Sequence, residues 1–326
     1  MRAVLPYTAK HFGRAIMMPN LVPPVATTAD AVAYRQRILA ALPEGSTFQP
    51  LMTCYLTDAT DPNDVERGFR DGVFTGVKLY PANATTNSAA GVTDFKRIRP
   101  VLERMQKIGM PFLMHGEDVD PKVDVFDREK VFIDKTLQPL TRDFPELRMI
   151  LEHLSSRDAC DFVRSAAPQL GGTITPYHLQ LNRTDWLGWG LRPYMYCMPV
   201  IKTEADRQAL RKAATGGGAC FFLGTDSAPH PVAKKLNVVG AAGLFNAPVA
   251  IETYAQVFEE ENALDKLEAF ASLNGPAHYR LPPNEDTITL EKSSWTAPEE
   301  VRVEGPDERA LVYRGGETIE WRVVAH

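Results

Sequence analysis

No run of about 18 or more consecutive apolar residues occurs in this chain of 326 residues, so the sequence offers no membrane-spanning helix. The opening stretch, MRAVLPYTAKHFGR, lacks the apolar core and small-residue cleavage site of a secretory leader. No Cys-x-x-Cys is present. The four cysteines, Cys54, Cys160, Cys197 and Cys220, lie far apart and read as reduced thiols of a cytoplasmic protein. Cys54 and Cys220 fall in apolar stretches and read as core. Low-complexity segments and internal repeats are absent. A positive charge excess is absent as well: the net charge of −5 argues against a nucleic-acid or acidic-membrane binder. With 44% hydrophobic and 24% charged residues, the composition is that of an ordinary globular protein.

Short apolar runs recur along the chain. They cover 15–19 (AIMMP), 51–56 (LMTCYL), 76–80 (GVKLY), 111–115 (PFLMH), 149–153 (MILEH), 173–178 (TITPYH) and 220–226 (CFFLGTD). Continuous apolar runs of this length suit strands buried on both faces. Helical spacing lies between several of them. Ala31, Tyr34, Ile38 and Ala41 share a face, as do Phe95, Ile98, Leu102 and Met105, with Gly109 placed to end the second helix. Ser155-x-x-Asp158 and Thr203-x-x-Asp206 read as helix starts. Strand and helix in alternation predict an α/β fold with a parallel sheet. A closed TIM-type (β/α)8 barrel has eight strands. Seven are visible, so either one is hidden or the first is missing. The stretch 194–200 (YMYCMPV) reads as a loop over the barrel mouth. From about Pro282 the pattern alternates (TITLEK, TIEWRV), and Arg314-Gly-Gly-Glu317 reads as a hairpin turn. The expected organisation is a single domain over 1–326, with a barrel over 1–281 and a small appendage over 282–326.

Polar residues stand at the C-terminal ends of these strands, where barrel active sites are built. They are Asn20, Lys78, His115, His153 and Asp226. Lys78 and His115 are 37 residues apart, His115 and His153 are 38 apart, and His153 and Asp226 are 73 apart. A barrel unit averages roughly 30 residues or a little more, so these groups fall at matching positions around one mouth. Either histidine alone reads as a buried, hydrogen-bonded ring. Together, with Lys78 and Asp226, they read as zinc ligands. Lys78 inside an apolar strand is either paired with a carboxylate or neutral, and a neutral amine can take up carbon dioxide to become an anionic carbamate ligand. Asp226, in Gly-Thr-Asp-Ser-Ala-Pro-His, either binds metal and moves a proton or caps a turn. His230 could donate to a substrate carboxylate.

These segments resemble those of the bacterial-type (class II) dihydroorotases of the amidohydrolase superfamily. The likeness is carried by MPNLVPPV at 18–25, LMTCYLTD at 51–58, VKLYPANATTNS at 77–88, MHGE at 114–117, EHLSS at 152–156, ITPYHL at 174–179, GTDSAPH at 224–230 and FNAP at 245–248. The resemblance implies reversible hydrolysis of dihydroorotate to carbamoyl aspartate in pyrimidine biosynthesis, by a zinc-activated hydroxide in a cytoplasmic homodimer. It implies two Zn2+ per subunit bridged by N6-carboxylysine at Lys78. His115 and His153 would complete the more exposed site. Asp226 would bind the more buried zinc and act as base, then acid. Asn20 and His230 would hold the carboxylate side, the backbones of Met198 and Ala242 would contact the ring, and Thr85 and Thr86 would belong to a mobile loop that closes over it.

The family opens with a strand bearing His-x-His followed by an arginine. No His-x-His occurs among the seven histidines (11, 115, 153, 178, 230, 278 and 326). The buried zinc would keep only Lys78 and Asp226, too few for tight binding. The expectation is a shortened dihydroorotase, with a misplaced start as the simplest cause and weak or absent catalysis from this exact chain. Two alternatives stand beside it: another cyclic amidohydrolase of the hydantoinase or dihydropyrimidinase kind, and a non-catalytic scaffold of the same fold.

Overall fold

Seven parallel strands pair strictly in chain order. They are β1 (Arg14–Met17), β2 (Gln49–Tyr55), β3 (Phe74–Leu79), β4 (Phe112–Met114), β5 (Met149–Leu151), β6 (Leu170–Ile174) and β7 (Phe221–Leu223). This is a computed structural model, and it describes residues 1–303, 305 and 308–325. Of the expected C-terminal appendage, Glu304, Pro306, Asp307 and His326 lie outside the described residues. No ladder joins β1 to β7 among the described residues, so the sheet is a curled, open seven-stranded version of the eight-stranded barrel. Seven strands in chain order are consistent with the absence of the first strand that the sequence predicts.

Period-two alternation sorts the side chains of each strand. On β3, Val77 and Leu79 join the main core against the surrounding helices, and Lys78 between them faces the other way. On β4 and β5, Phe112, Met114, Met149 and Leu151 join that same core, while Leu113 and Ile150 form an inner cluster with Phe222. Ile16, Met18 and Tyr279 pack against this inner cluster. The register sets Lys78 beside Tyr55 on one side and Leu113 on the other.

The helices follow their caps. Thr28–Leu39 starts at Thr27, whose side chain forms a capping box with Asp30, and it buries Ala31, Tyr34 and Ile38. Phe95–Ile108 starts at Asp94 and ends at Gly109, which holds φ 71°. Glu204–Thr215 begins at the predicted Thr203–Asp206 box. The helix expected at Ser155 starts one residue later: Ser156 accepts from Ala159 N–H. Among the described residues no helix is long and apolar enough to cross a membrane.

Three expectations need correction. The strand read over 173–178 ends at Ile174, and a short helix runs Pro176–Gln180. Pro176 suits a first helical position, and Thr175 caps it by accepting from His178 N–H at 3.1 Å. The turn at Arg314–Glu317 is present, with φ 62° at Arg314 and 78° at Gly316, but it does not close a paired hairpin. It leads from β10 (Arg309–Leu311) to β11 (Thr318–Ala325). β10 pairs with β9 (Glu300–Arg302), and β11 pairs with β8 (Thr289–Thr296). Apolar side chains select those partners: Val301, Ala310 and Val312 cluster with Phe245 and Ala247, whereas Ala297 and Ile319 cluster with Tyr177 and Cys197. Finally, β4, β5 and β7 stop short of the predicted His115, His153 and Asp226, which therefore sit in the loops just past the strands.

Candidate active site

Past the strand ends the backbone turns sharply. His153 and Asp226 both hold φ 45°, a left-handed conformation that non-glycine residues seldom adopt and that gathers at functional sites. At the first of these turns the His153 N–H donates to Thr173 Oγ1 at 2.7 Å, and the Thr173 hydroxyl donates to Glu152 Oε2 at 2.7 Å. This relay fixes the loop that presents the ring.

The two histidine rings meet. His115 Nδ1 and His153 Nε2 lie 3.1 Å apart, with ring centroids 4.7 Å apart and planes at 70°. Both residues are buried. Two nitrogens bound to one tetrahedral zinc at about 2.0–2.1 Å stand about 3.3 Å apart, so the observed spacing fits a shared ion. His115 Nε2 faces Glu117 Oε2 at 2.6 Å, the carboxylate–histidine pairing that leaves the opposite nitrogen free as a ligand. His153 Nδ1 is buried without a hydrogen-bond partner. Burial, then the neighbouring His115 and Lys78, hold the His153 pKa well below its ordinary range, so the ring is neutral as a ligand requires.

Lys78 is 1% exposed, and its Nζ lies 5.3 Å from the centre of the Tyr80 ring. Burial lowers its pKa, against the pull of Glu152 and Asp226. Asp226 is pushed the other way by the same burial, opposed by the Tyr177 hydroxyl and by Lys78. That hydroxyl donates to Asp226 Oδ2 at 2.7 Å. Among the described residues, no three His, Cys, Asp or Glu side chains form a ready metal cage.

The other predicted residues form a second group. Asn20 Oδ1 accepts from Tyr80 OH at 3.1 Å, and its amide donates to Thr86 O at 3.1 Å. Thr86 Oγ1 accepts from Ala242 N–H at 3.1 Å. The Ala242 carbonyl accepts from His230 Nε2 at 3.0 Å. Burial lowers the His230 pKa. Met198 and Ala242 share an apolar cluster with Val200, flanked by Trp186 and Tyr196. Asn20, Thr86, Ala242 and His230 are thus joined in one hydrogen-bonded run, with Met198 packed beside it. Thr85 stands outside the run, its N–H donating to Ser88 Oγ at 2.9 Å.

Sequence reasoning missed Glu117, Thr173 and Tyr177. A signal existed for the first: His115 and Glu117 are two apart beyond an extended strand, which puts them on one face. Nothing in the sequence marks Tyr177 as a partner of Asp226, since the contact spans 49 residues.

No family model matches the chain. Curated relatives do match it over its full length. The dihydroorotase of Novosphingobium aromaticivorans is 55% identical over 326 residues, covering 100% of this chain and 93% of the relative. The dihydroorotase of Yersinia enterocolitica is 54% identical over 325 residues, with 100% and 93% covered. Among solved structures, the Saccharomyces cerevisiae dihydroorotase in complex with 5-fluoroorotic acid superposes with a TM-score of 0.92 at 33% identity, covering 100% of this chain and 93% of that one. Campylobacter jejuni dihydroorotase gives 0.89 at 34% identity, with 99% and 91% covered. The L-hydantoinase of Arthrobacter aurescens reaches 0.75 at 15% identity, over 98% of this chain and 82% of that one, and so shares the fold alone. The identities separate the two ring hydrolases that the sequence left open, and this chain belongs to the dihydroorotase family of cyclic amide hydrolases.

Proposed function

We propose that this chain hydrolyses dihydroorotate reversibly to N-carbamoyl-L-aspartate at the mouth of its barrel. The observation that carries the reading is the facing pair of His115 and His153 nitrogens beside buried Lys78, in a chain more than half identical to curated dihydroorotases.

Lys78, His115 and His153 would hold one zinc ion, and Lys78 with Asp226 would supply the donors for a second. When bound, zinc supplies Lewis acidity that polarises the amide carbonyl and makes water a nucleophile at neutral pH. The Lys78 amine, whose uncharged form burial favours, is suited to add to carbon dioxide: a nitrogen–carbon bond forms as one C=O π bond opens, one proton leaves the nitrogen, and a two-oxygen anion results. Glu117 holds the His115 imidazole, and the Glu152–Thr173 pair holds the His153 backbone. Asp226, a carboxylate whose proton affinity is raised by burial, would take a proton and return it to the leaving nitrogen. Asn20 and His230 would orient the substrate carboxylate, Thr85 and Thr86 would cover the ring, and the backbones of Met198 and Ala242 would line it. The second metal position has two donors within this chain, so turnover is expected to be weak. The dihydroorotase family resemblance further supports a homodimer in the cytoplasm.

The test is dihydroorotate hydrolysis by the purified chain with zinc and bicarbonate. Weak turnover that disappears in Lys78→Ala is expected. Hydrolysis of hydantoin without hydrolysis of dihydroorotate would overturn the substrate assignment.

A further inference from the structure

Lys235 ends the short helix Val232–Lys235, and its side chain turns inward, leaving the residue 7% exposed. A buried ammonium is costly unless its donors are satisfied. Here they meet two main-chain carbonyls, Tyr196 O at 2.8 Å and Gly243 O at 2.7 Å, with the Tyr196 ring centre 5.9 Å from Nζ. The carbonyls belong to different loops. Tyr196 stands two residues before Met198, and Gly243 directly follows Ala242. The loops also touch through Gly243 N–H, which donates to Tyr196 O at 3.0 Å. Gly243 holds φ 136°, and an added Cβ would meet the Ala228 Cβ at 2.5 Å, so the close approach of the backbone there requires glycine. Burial draws the Lys235 amine down to about 8. Protonated or neutral, the amine keeps at least two N–H donors, so both carbonyls stay satisfied around neutral pH.

We propose that Lys235 is a positioning residue that locks the loops carrying Met198 and Ala242 in register across the barrel mouth. Its consequence for ligand binding rests on the reading of Met198 and Ala242 as ring-facing residues. The tie itself does not. Lys235→Met keeps the apolar stem and removes the donors, and Lys234→Met, at the exposed neighbour, is the control.

Hydrogen exchange and calorimetric titration with 5-fluoroorotic acid test it together. In Lys235→Met, amides at 196–198 and 242–244 should exchange roughly tenfold faster or more, with β3 unchanged, and affinity should fall roughly tenfold. Unchanged exchange in both segments would overturn the tie. Faster exchange with full affinity would overturn its role in binding. If the unaltered chain binds no 5-fluoroorotic acid yet the exchange result holds, the site reading fails and the tie stands. Should Lys235→Met not fold, the unaltered protein still decides: one tie requires the two segments to open together, with protection within about threefold, and separate opening would refute it.

Discussion

His115 is held from both sides. Its Nε2 meets Glu117 at 2.6 Å, and its Nδ1 meets His153 at 3.1 Å. A carboxylate behind a metal-ligating imidazole fixes the tautomer and ring direction, and its loss costs roughly 10–100-fold in metal affinity. Glu117→Gln should therefore weaken zinc binding by about that factor in a chelator competition, with the fold unchanged. Zinc binding as tight as in the unaltered chain would remove Glu117 from this role. The candidate ligand residues stood out in the sequence because His115, His153 and Asp226 each end an apolar run and Lys78 lies within one, at matching spacing. Their supports were not. Thr173 serves His153 from the next strand, and Tyr177 reaches Asp226 over 49 residues, contacts that only the folded sheet creates.

The short helix Asn274–Tyr279 packs against β7 and carries a half-buried histidine. His278 Nε2 donates to Met149 O at 3.0 Å, with the Phe222 ring 5.5 Å away. Gly171 leaves the room: a Cβ there would meet Phe222 at 2.8 Å and His278 at 3.0 Å. Burial lowers the His278 pKa to about 4, from an unfolded value near 6.5. The unfolded chain therefore binds the proton first as pH falls. The stability linked to this ring is complete above about pH 6.5 and is lost on acidification toward about pH 4. The loss is at most ~3 kcal/mol, from about 1.36 kcal/mol per pKa unit. Urea unfolding between pH 6.5 and 4 should show a shallower decline in His278→Gln than in the unaltered chain, and equal slopes would contradict it. At this scale the sequence placed the seven barrel strands and the helices after Thr27, Asp94, Ser156 and Thr203, but not the capped helices Pro62–Arg70 and Arg183–Leu187. It misplaced the end of β6 because Thr-Pro after an apolar run reads as strand until Pro176 is recognised as a first helical position. It mispaired the tail because turn chemistry at Arg314–Glu317 names a turn but not which strands meet beside it.

Across the whole molecule, the seven strands bring residues from 78 to 226 to one mouth, and the order of the sheet is the order of the chain. That regularity made the fold and the missing first strand visible in the sequence. An open parallel sheet leaves the free edges of β1 and β7 without a ladder partner among the described residues, and closure is what protects such edges in a complete barrel. The site inherits the same order: His115 and His153, just past β4 and β5, face each other, while Asp226, past β7, is held by the Tyr177 hydroxyl. Lys78, His115 and His153 are proposed to form a zinc site completed by carbon dioxide. The measurement that tests it most directly is a zinc titration of the chain with and without 13C-bicarbonate, followed by calorimetry and by the carbon signal of the protein. About one tight zinc per chain is predicted, dependent on bicarbonate, with a protein-bound carbon signal that is lost together with the affinity in Lys78→Ala. Zinc affinity indifferent to both bicarbonate and Lys78 would contradict it.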